Sequence, residues 1–329
     1  MKQYFCSNSC RVRFLTLMAL LTLPASLAAQ VIDLRGQWKF HIDDNPAWAT
    51  EKFDDSRWEN IFVPSPWEDE GFHGYDGFAW YRRTFDGRQL DKNGVYHLGL
   101  GYIDDCDEVY VNGKLVGFSG SMPPRFKTSY NTERKYPLPP EIINFSGTNT
   151  VAVRVFDATL SGGMVDGRLG IYRSTEKPFI AVDLRGVWSF SPVRSATSAA
   201  SEASWRPIMV PGAWEYQGFL KYDGFARYRR TFVVPAPLSG QPLVLLLGWI
   251  DDFDKTYVNG QLVGTTNDRR RYGESRSYQE QRAYEIPAGI LKPGTNTIDV
   301  VVEDMGNYGG IWGGLIGITT PENYRRYVR

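Results

Sequence analysis

Between Phe78 and Phe85 the side chains alternate. Ala79, Tyr81, Arg83 and Phe85 fall on one side, and Phe78, Trp80, Arg82 and Thr84 on the other. A period of two is that of a β-strand. The stretch "VYVNGKLVG" sets two short strands about Asn112-Gly113, a pair suited to the type I′ hairpin turn, and Asn259-Gly260 does the same later. "NTVAVRVFD" and "NTIDVVVED" are β-branched runs of strand character. Turn signals recur every 8 to 15 residues and no long helical period interrupts them. Short strands at that spacing predict an all-β chain of sandwich or jelly-roll type.

The pattern occurs twice. "YDGFAWYRRTF" at Tyr75 returns as "YDGFARYRRTF" at Tyr222. "VIDLRGQWKF" returns as "AVDLRGVWSF", "GYIDDCDEVYVNGKLVG" as "GWIDDFDKTYVNGQLVG", and "GTNTVAVRVFD" as "GTNTIDVVVED". From Trp58/Trp205 to Ile171/Ile318 the offset is 147 residues, and 16 of 23 positions match between Val63 and Phe85. A unit of that length is a domain. The expectation is therefore two jelly rolls, 29–175 and 176–329, joined near Ser174 to Pro178.

Ahead of them, Lys2, Arg11 and Arg13 precede the apolar run Phe14 to Leu23, then Pro24 and the small residues around Ala28. That order predicts a secretory signal peptide over 1–28 and a secreted or periplasmic protein without a membrane anchor. Cys6 and Cys10 would leave with it. The remaining thiol, Cys106, aligns with Phe253 and reads as an apolar core position. Over the whole chain 37 basic residues balance 37 acidic ones, which argues against nucleic acid as a partner.

The order DLRGxWxF, DDSxW, VPxxWExxG, YDGFAxYRRTF, IDDxDxxYVNGxxVG and GTNTxxV resembles the galactose-binding-like jelly roll of glycoside hydrolase family 2 enzymes. Such domains precede the catalytic part of β-galactosidases and β-glucuronidases. A similar one is inserted in sialate O-acetylesterases. The resemblance covers both copies and implies sugar binding rather than any particular sugar.

It also implies where catalysis would lie, in a following (β/α)₈ barrel of about 250 residues. Nine residues follow Thr320, and the chain has no Asn-Glu dipeptide. There is no GxSxG elbow for an esterase either, and His41, His73 and His97 lack metal spacing. Carboxylate pairs such as Glu68 with Asp76, or Asp104 with Asp105, recur as Glu215, Asp223, Asp251 and Asp252. Duplicated acids beside turns suggest loop capping or pairing with Arg82, Arg83, Arg229 and Arg230. The cofactor expectation is none, with calcium at Asp104, Asp105 and Asp107 as the alternative.

Sugar sites set an aromatic ring against the apolar face of a pyranose, with polar groups on its hydroxyls. The telling rings are those in one copy only. Trp312 aligns with Val165, Tyr308 with Ser161, and Trp80 with Arg227, a position expected on an outer face. The ligand-binding candidates are Trp312, Tyr308, Asp304, Arg269, Arg271 and Trp80, centred on the loop "MGNYGGIWGG". Its glycines are expected to let the backbone approach a ligand. The strand "LVLLLG" is apolar on both faces, so Val244 and Leu246 are expected under the first domain or another chain. Three readings stay open: a non-catalytic carbohydrate-binding protein, a glycosidase or glycosidase subunit with a catalytic partner, and a structural adaptor without sugar affinity.

Overall fold

The structure, a computed structural model, describes residues 29–174, 179–267 and 276–328. The expected signal peptide, the centre of the expected linker, and Arg269 and Arg271 lie outside the described residues. Among the described residues no helix is long and apolar enough to cross a membrane.

Ten strands build a first sandwich: Ala29–Asp33 (β1), Gly36–Ile42 (β2), Glu59–Val63 (β3), Gly77–Asp86 (β4), Tyr96–Asp104 (β5), Cys106–Val111 (β6), Lys114–Ser119 (β7), Glu133–Leu138 (β8), Thr148–Asp157 (β9) and Gly163–Arg173 (β10). They form a six-stranded sheet, β3-β2-β4-β9-β6-β7, and a four-stranded sheet, β1-β10-β5-β8. Val182–Asp183 (β11), Gly186–Val193 (β12), Arg206–Val210 (β13), Gly224–Val234 (β14), Leu243–Asp251 (β15), Phe253–Val258 (β16), Gln261–Thr266 (β17), Gln281–Ile286 (β18), Gly294–Asp304 (β19) and Gly310–Thr319 (β20) build a second. Its sheets run β13-β12-β14-β19-β16-β17 and β11-β20-β15-β18, the same order strand for strand.

Residue types explain the match. Alternate residues of β4 and β14 (Ala79, Tyr81 and Phe85; Ala226, Tyr228 and Phe232) enter the cores between the sheets. At the β6–β7 turn Asn112 and Gly113 have φ of 50° and 75°, and at β16–β17 Asn259 and Gly260 have 49° and 78°. These are the two positive φ values a type I′ turn needs. Each Asn side chain also bonds across the sandwich end: Asn112 Nδ2 donates to Ile142 O and Asn149 Oδ1, both at 2.8 Å, and Asn259 to Ile290 O and Asn296 Oδ1 at 2.8 Å. Trp67 and Trp214 lie in the cores and donate Nε1–H to the carbonyls of Tyr75 and Tyr222 at 3.0 Å. Tyr75 and Tyr222 in turn donate to Phe78 O at 2.7 Å and Phe225 O at 2.6 Å. The eleven-residue stretch is thus the corner on which each core is seated.

Two expectations about coverage are corrected. Val244 and Leu246 are buried, and the chain supplies their cover itself. The helix Pro321–Tyr327 (α1) packs against β15, and the Phe179 ring lies 4.8 Å from Tyr327. Trp80 does sit on the outer face of its sheet, yet it is 0% exposed. The segment 43–58 crosses over it, packing Trp48 and Trp58 into a small second core, and Asp44 Oδ1 accepts the Trp80 N–H at 3.1 Å. A ring closed on both sides cannot stack on a sugar, so Trp80 leaves the candidate site.

Candidate functional site

Two kinds of site stand out, one shared by both sandwiches and one confined to the second. The shared one is acidic. Where β5 turns into β6, Asp104 and Asp105 meet Asp157 from the end of β9. Where β15 turns into β16, Asp251 and Asp252 meet Asp304 from the end of β19. One carboxylate oxygen from each member of a triad lies within 4.8 Å of the others. Both Asp–Asp peptide bonds are cis.

The buried members are anchored by backbone. Asp105 Oδ2 accepts from Ala158 N at 3.0 Å, and Asp252 Oδ2 from Met305 N at 3.0 Å. Asp304 Oδ1 accepts from Gly306 N at 3.1 Å. Oδ2 of Asp157 and Oδ2 of Asp304 are buried and accept nothing. Burial, then the neighbouring carboxylates, push Asp104 up to about 6 and Asp251 to about 7. Burial likewise raises Asp157 and Asp304 to about 7, with nearby acids adding to the shift. Among the described residues no lysine or arginine forms an ion pair with any of the six. Such oxygen-only clusters suit a hard cation.

Three sequence readings change here. Asp107 is no member of the cluster: its carboxylate is held by Arg134 Nε at 2.6 Å and Tyr136 Oη at 2.6 Å, as Asp254 is by Arg282 and Tyr284. Nor do the four arginines of β4 and β14 serve the triads. Arg82 pairs with Asp55 and Arg229 with Asp299, both at 2.7 Å, while Arg83 and Arg230 donate to backbone carbonyls. Third, the loop glycines are set by packing. A Cβ on Gly309 would fall 2.1 Å from the Trp214 ring, and one on Gly162 2.2 Å from Trp67. The pair is glycine in both sandwiches because an indole lies on it.

The second kind of site is aromatic. Trp312, 41% exposed on the outer face of β20, stacks on Trp249 of β15 at 5.3 Å and 20° between planes. Tyr308, 53% exposed on the β19–β20 loop, stacks on Tyr216 at 5.4 Å and 21°. Lys127 of the first sandwich reaches across: its Nζ lies 4.0 Å from the Tyr216 ring centre and 3.5 Å from Glu215 O. Beneath this stack a cleft of about 560 Å³ opens between the sandwiches, lined by Lys127, Ser129, Tyr136, Met209, Tyr216 and Gln217 among others.

The expected residues are therefore dispersed. Trp312 and Tyr308 belong to separate stacks. Asp304 is 2% exposed and turned into its triad, away from a position that would meet a sugar hydroxyl at the surface. Trp249 and Tyr216 were missed. Tyr216 aligns with Asp69 and meets the same one-copy criterion as Trp312, so its signal was present. Trp249 aligns with Tyr102 and was hidden by the aromatic in both copies.

An all-β sandwich with these corner motifs defines a class before it defines a ligand. Residues 42–161 match the family model of the second all-β domain of β-galactosidases, and the resemblance to family 2 glycoside hydrolase all-β domains holds there. Among curated proteins, a putative β-glucuronidase of Formosa agariphila is 28% identical over 98 residues, 26% of this chain and 9% of the relative. A β-galactosidase of Priestia megaterium is 24% identical over 155 residues, 37% of this chain and 14% of the relative. The matched stretches thus span 9% and 14% of the two relatives' lengths. Among solved structures, a calcium-binding mutant of Bacteroides uniformis β-glucuronidase 2 aligns over 84% of this chain and 27% of its own, at 18% identity and a TM-score of 0.38.

Proposed function

We propose that the chain is a carbohydrate-binding β-sandwich protein of glycan breakdown, with binding in the second sandwich. The observation that carries this reading is the stacked Trp249–Trp312 pair with Trp312 exposed. The Trp312 indole, seated on Trp249, presents an apolar face to solvent with its N–H at the rim, the chemistry that meets a pyranose ring. The Tyr216–Tyr308 stack at the mouth of the interdomain cleft offers a second plane. The relatives are named as enzymes that act on glycosides, which supports a glycan as ligand and a glycosidase as the working partner. The N-terminal pattern supports secretion or a periplasmic place for the protein.

Hydrolysis is assigned to that partner. Asp104 and Asp105 are gathered into a triad with Asp157, and Glu68 and its copy Glu215 hold loop backbone. Glu68 Oε2 accepts from Gly162 N at 3.1 Å and Glu215 Oε2 from Gly309 N at 3.0 Å.

Stacking on one platform with a few hydrogen bonds gives weak binding, roughly 4 to 6 kcal/mol or millimolar to tens of micromolar. A glycan array followed by calorimetry on the best hit tests the proposal. Trp312→Ala should abolish measurable heat while the thermal unfolding midpoint stays put. Wild-type affinity in Trp312→Ala would refute the platform. No glycan bound by the native protein would leave the adaptor reading in its place.

A further inference from the structure

We propose that each sandwich binds one calcium ion, held by Asp104, Asp105 and Asp157 in the first and by Asp251, Asp252 and Asp304 in the second. The inference is independent of the sugar-binding reading. It rests on geometry found twice. Calcium sits about 2.4 Å from each ligand oxygen, so oxygens sharing one ion lie no more than about 4.8 Å apart. The three carboxylates of each triad meet that limit.

Acidic clusters alone are common at loop ends. What separates these is an atom with nothing to do. Asp157 is 0% exposed, and its Oδ2 is buried without a hydrogen-bond partner. Asp304 repeats this at 2% exposure. A buried polar atom left unpaired costs on the order of 1 to 3 kcal/mol, more for a charged group. Here the uncovered oxygen belongs to a cluster already carrying two other acids. The nearest guanidinium groups are committed elsewhere. Arg134 Nη2 donates to the backbone carbonyl of Asp105 at 3.1 Å, and Arg282 Nη2 to that of Asp252 at 2.6 Å, while both Nε atoms serve Asp107 and Asp254. A divalent cation satisfies the spare oxygen and the charge together. Only oxygen donors are present, which selects a hard ion. Six to eight ligands at flexible distances fit calcium better than the strict octahedron of magnesium. Asp104 and Asp251 are half-buried and leave an entry path from solvent, from which water completes the shell.

The ion would tie the β5–β6 corner to the start of the β9–β10 loop, and the β15–β16 corner to the β19–β20 loop. In the second sandwich that loop carries Tyr308, so calcium would also steady the Tyr216–Tyr308 stack.

Equilibrium dialysis of the chelator-stripped protein against radioactive calcium, up to about 10⁻³ M as for extracellular calcium modules, tests the proposal. Two ions per chain are expected. Asp157→Asn and Asp304→Asn should each remove one and the double variant both, and calcium should raise the unfolding midpoint most in the native protein and not at all in the double variant. Should either Asn variant misfold, the half-buried Asp104→Asn and Asp251→Asn replace it in the same assay. No uptake at that concentration overturns the proposal. So does uptake that survives these substitutions, or magnesium bound in place of calcium.

Discussion

The segments 43–58 and 194–205 cross the same face of equivalent sheets and cover it with opposite chemistry. In the first sandwich the cover is aromatic: Trp48, Phe53 and Trp58 close over Trp80, with Trp48 at 6.2 Å and 85° to it. Arg82 locks the cover from below. Its Nε bonds Asp55 at 2.7 Å, and its Nη atoms reach the carbonyls of Trp48, Thr50 and Phe53. In the second sandwich the segment is four residues shorter and rich in serine and alanine. Arg227 replaces Trp80 and donates to Ser198 O at 2.7 Å and Ala196 O at 3.1 Å. The equivalent of Arg82, Arg229, is left exposed beside Trp205 and Asp299. One outer face has become a second core. The other has remained a thinly covered surface, while the exposed rings of the second sandwich lie elsewhere, on β15, β20 and the loop before β20. A repeated backbone thus carries unrelated outer faces, and the faces are where the copies can differ in function.

The sharpest way to break this comparison is to remove the lock. Arg82→Ala strips the half-buried Asp55 of its partner and leaves three carbonyls short of a donor. A loss of about 2 kcal/mol is expected, chiefly from the carbonyls that lose their donor and the packing of the buried guanidinium stem. Arg229→Ala removes an exposed pair and should stay within about 0.5 kcal/mol. Hydrogen exchange resolved along the chain reads each sandwich separately. Equal losses for the two variants would mean that the 43–58 cover is not a core.

A comparable effect tests what the sandwiches share. Gly309→Ala and Gly162→Ala each push a methyl into an indole, and overpacking of that kind costs about 1 to 3 kcal/mol. Thermal unfolding should show similar losses for both. If Gly309→Ala unfolds like wild type but weakens glycan binding, the glycine answers to a ligand after all.

The inner faces were legible in the sequence because their signals are local. Asn112-Gly113 and Asn259-Gly260 announce the hairpins, since the dihedral angles they adopt exclude most residues. Alternation in β4 and β14 marks the core faces. The triads were half legible. Asp104 and Asp105 are adjacent, but Asp157 arrives from a strand that pairs with β6, and only the register Cys106↔Phe156 brings it near. Asp107 was the wrong third partner because its carboxylate is already taken by Arg134 and Tyr136. The cover over Trp80 was invisible for a different reason: a loop without periodicity gives no sign of the face on which it lies.

The finest distinction between the sandwiches is a single titrating ring. His97 of β5 aligns with Val244 of β15 and stacks on Tyr172 of β10 at 5.3 Å and 15°. Burial, aided by Lys135 of β8 and by Arg185, lowers its pKa from 6.5 to about 4. The folded state therefore favours the neutral ring more than the unfolded chain does. The stability this contributes is complete above pH 6.5 and is lost as pH falls from 6.5 toward 4. Because the ring is partly open to solvent, about 1 kcal/mol is expected rather than the full linkage value. His97→Val should flatten the acid limb of the first sandwich by that amount and leave the second unchanged. Other carboxylates titrate in the same window, so the informative quantity is the difference between native and variant at each pH. An unchanged difference from pH 7 to pH 4 would show that His97 is solvated in both states and that the two outer faces of β5 and β15 are electrostatically alike.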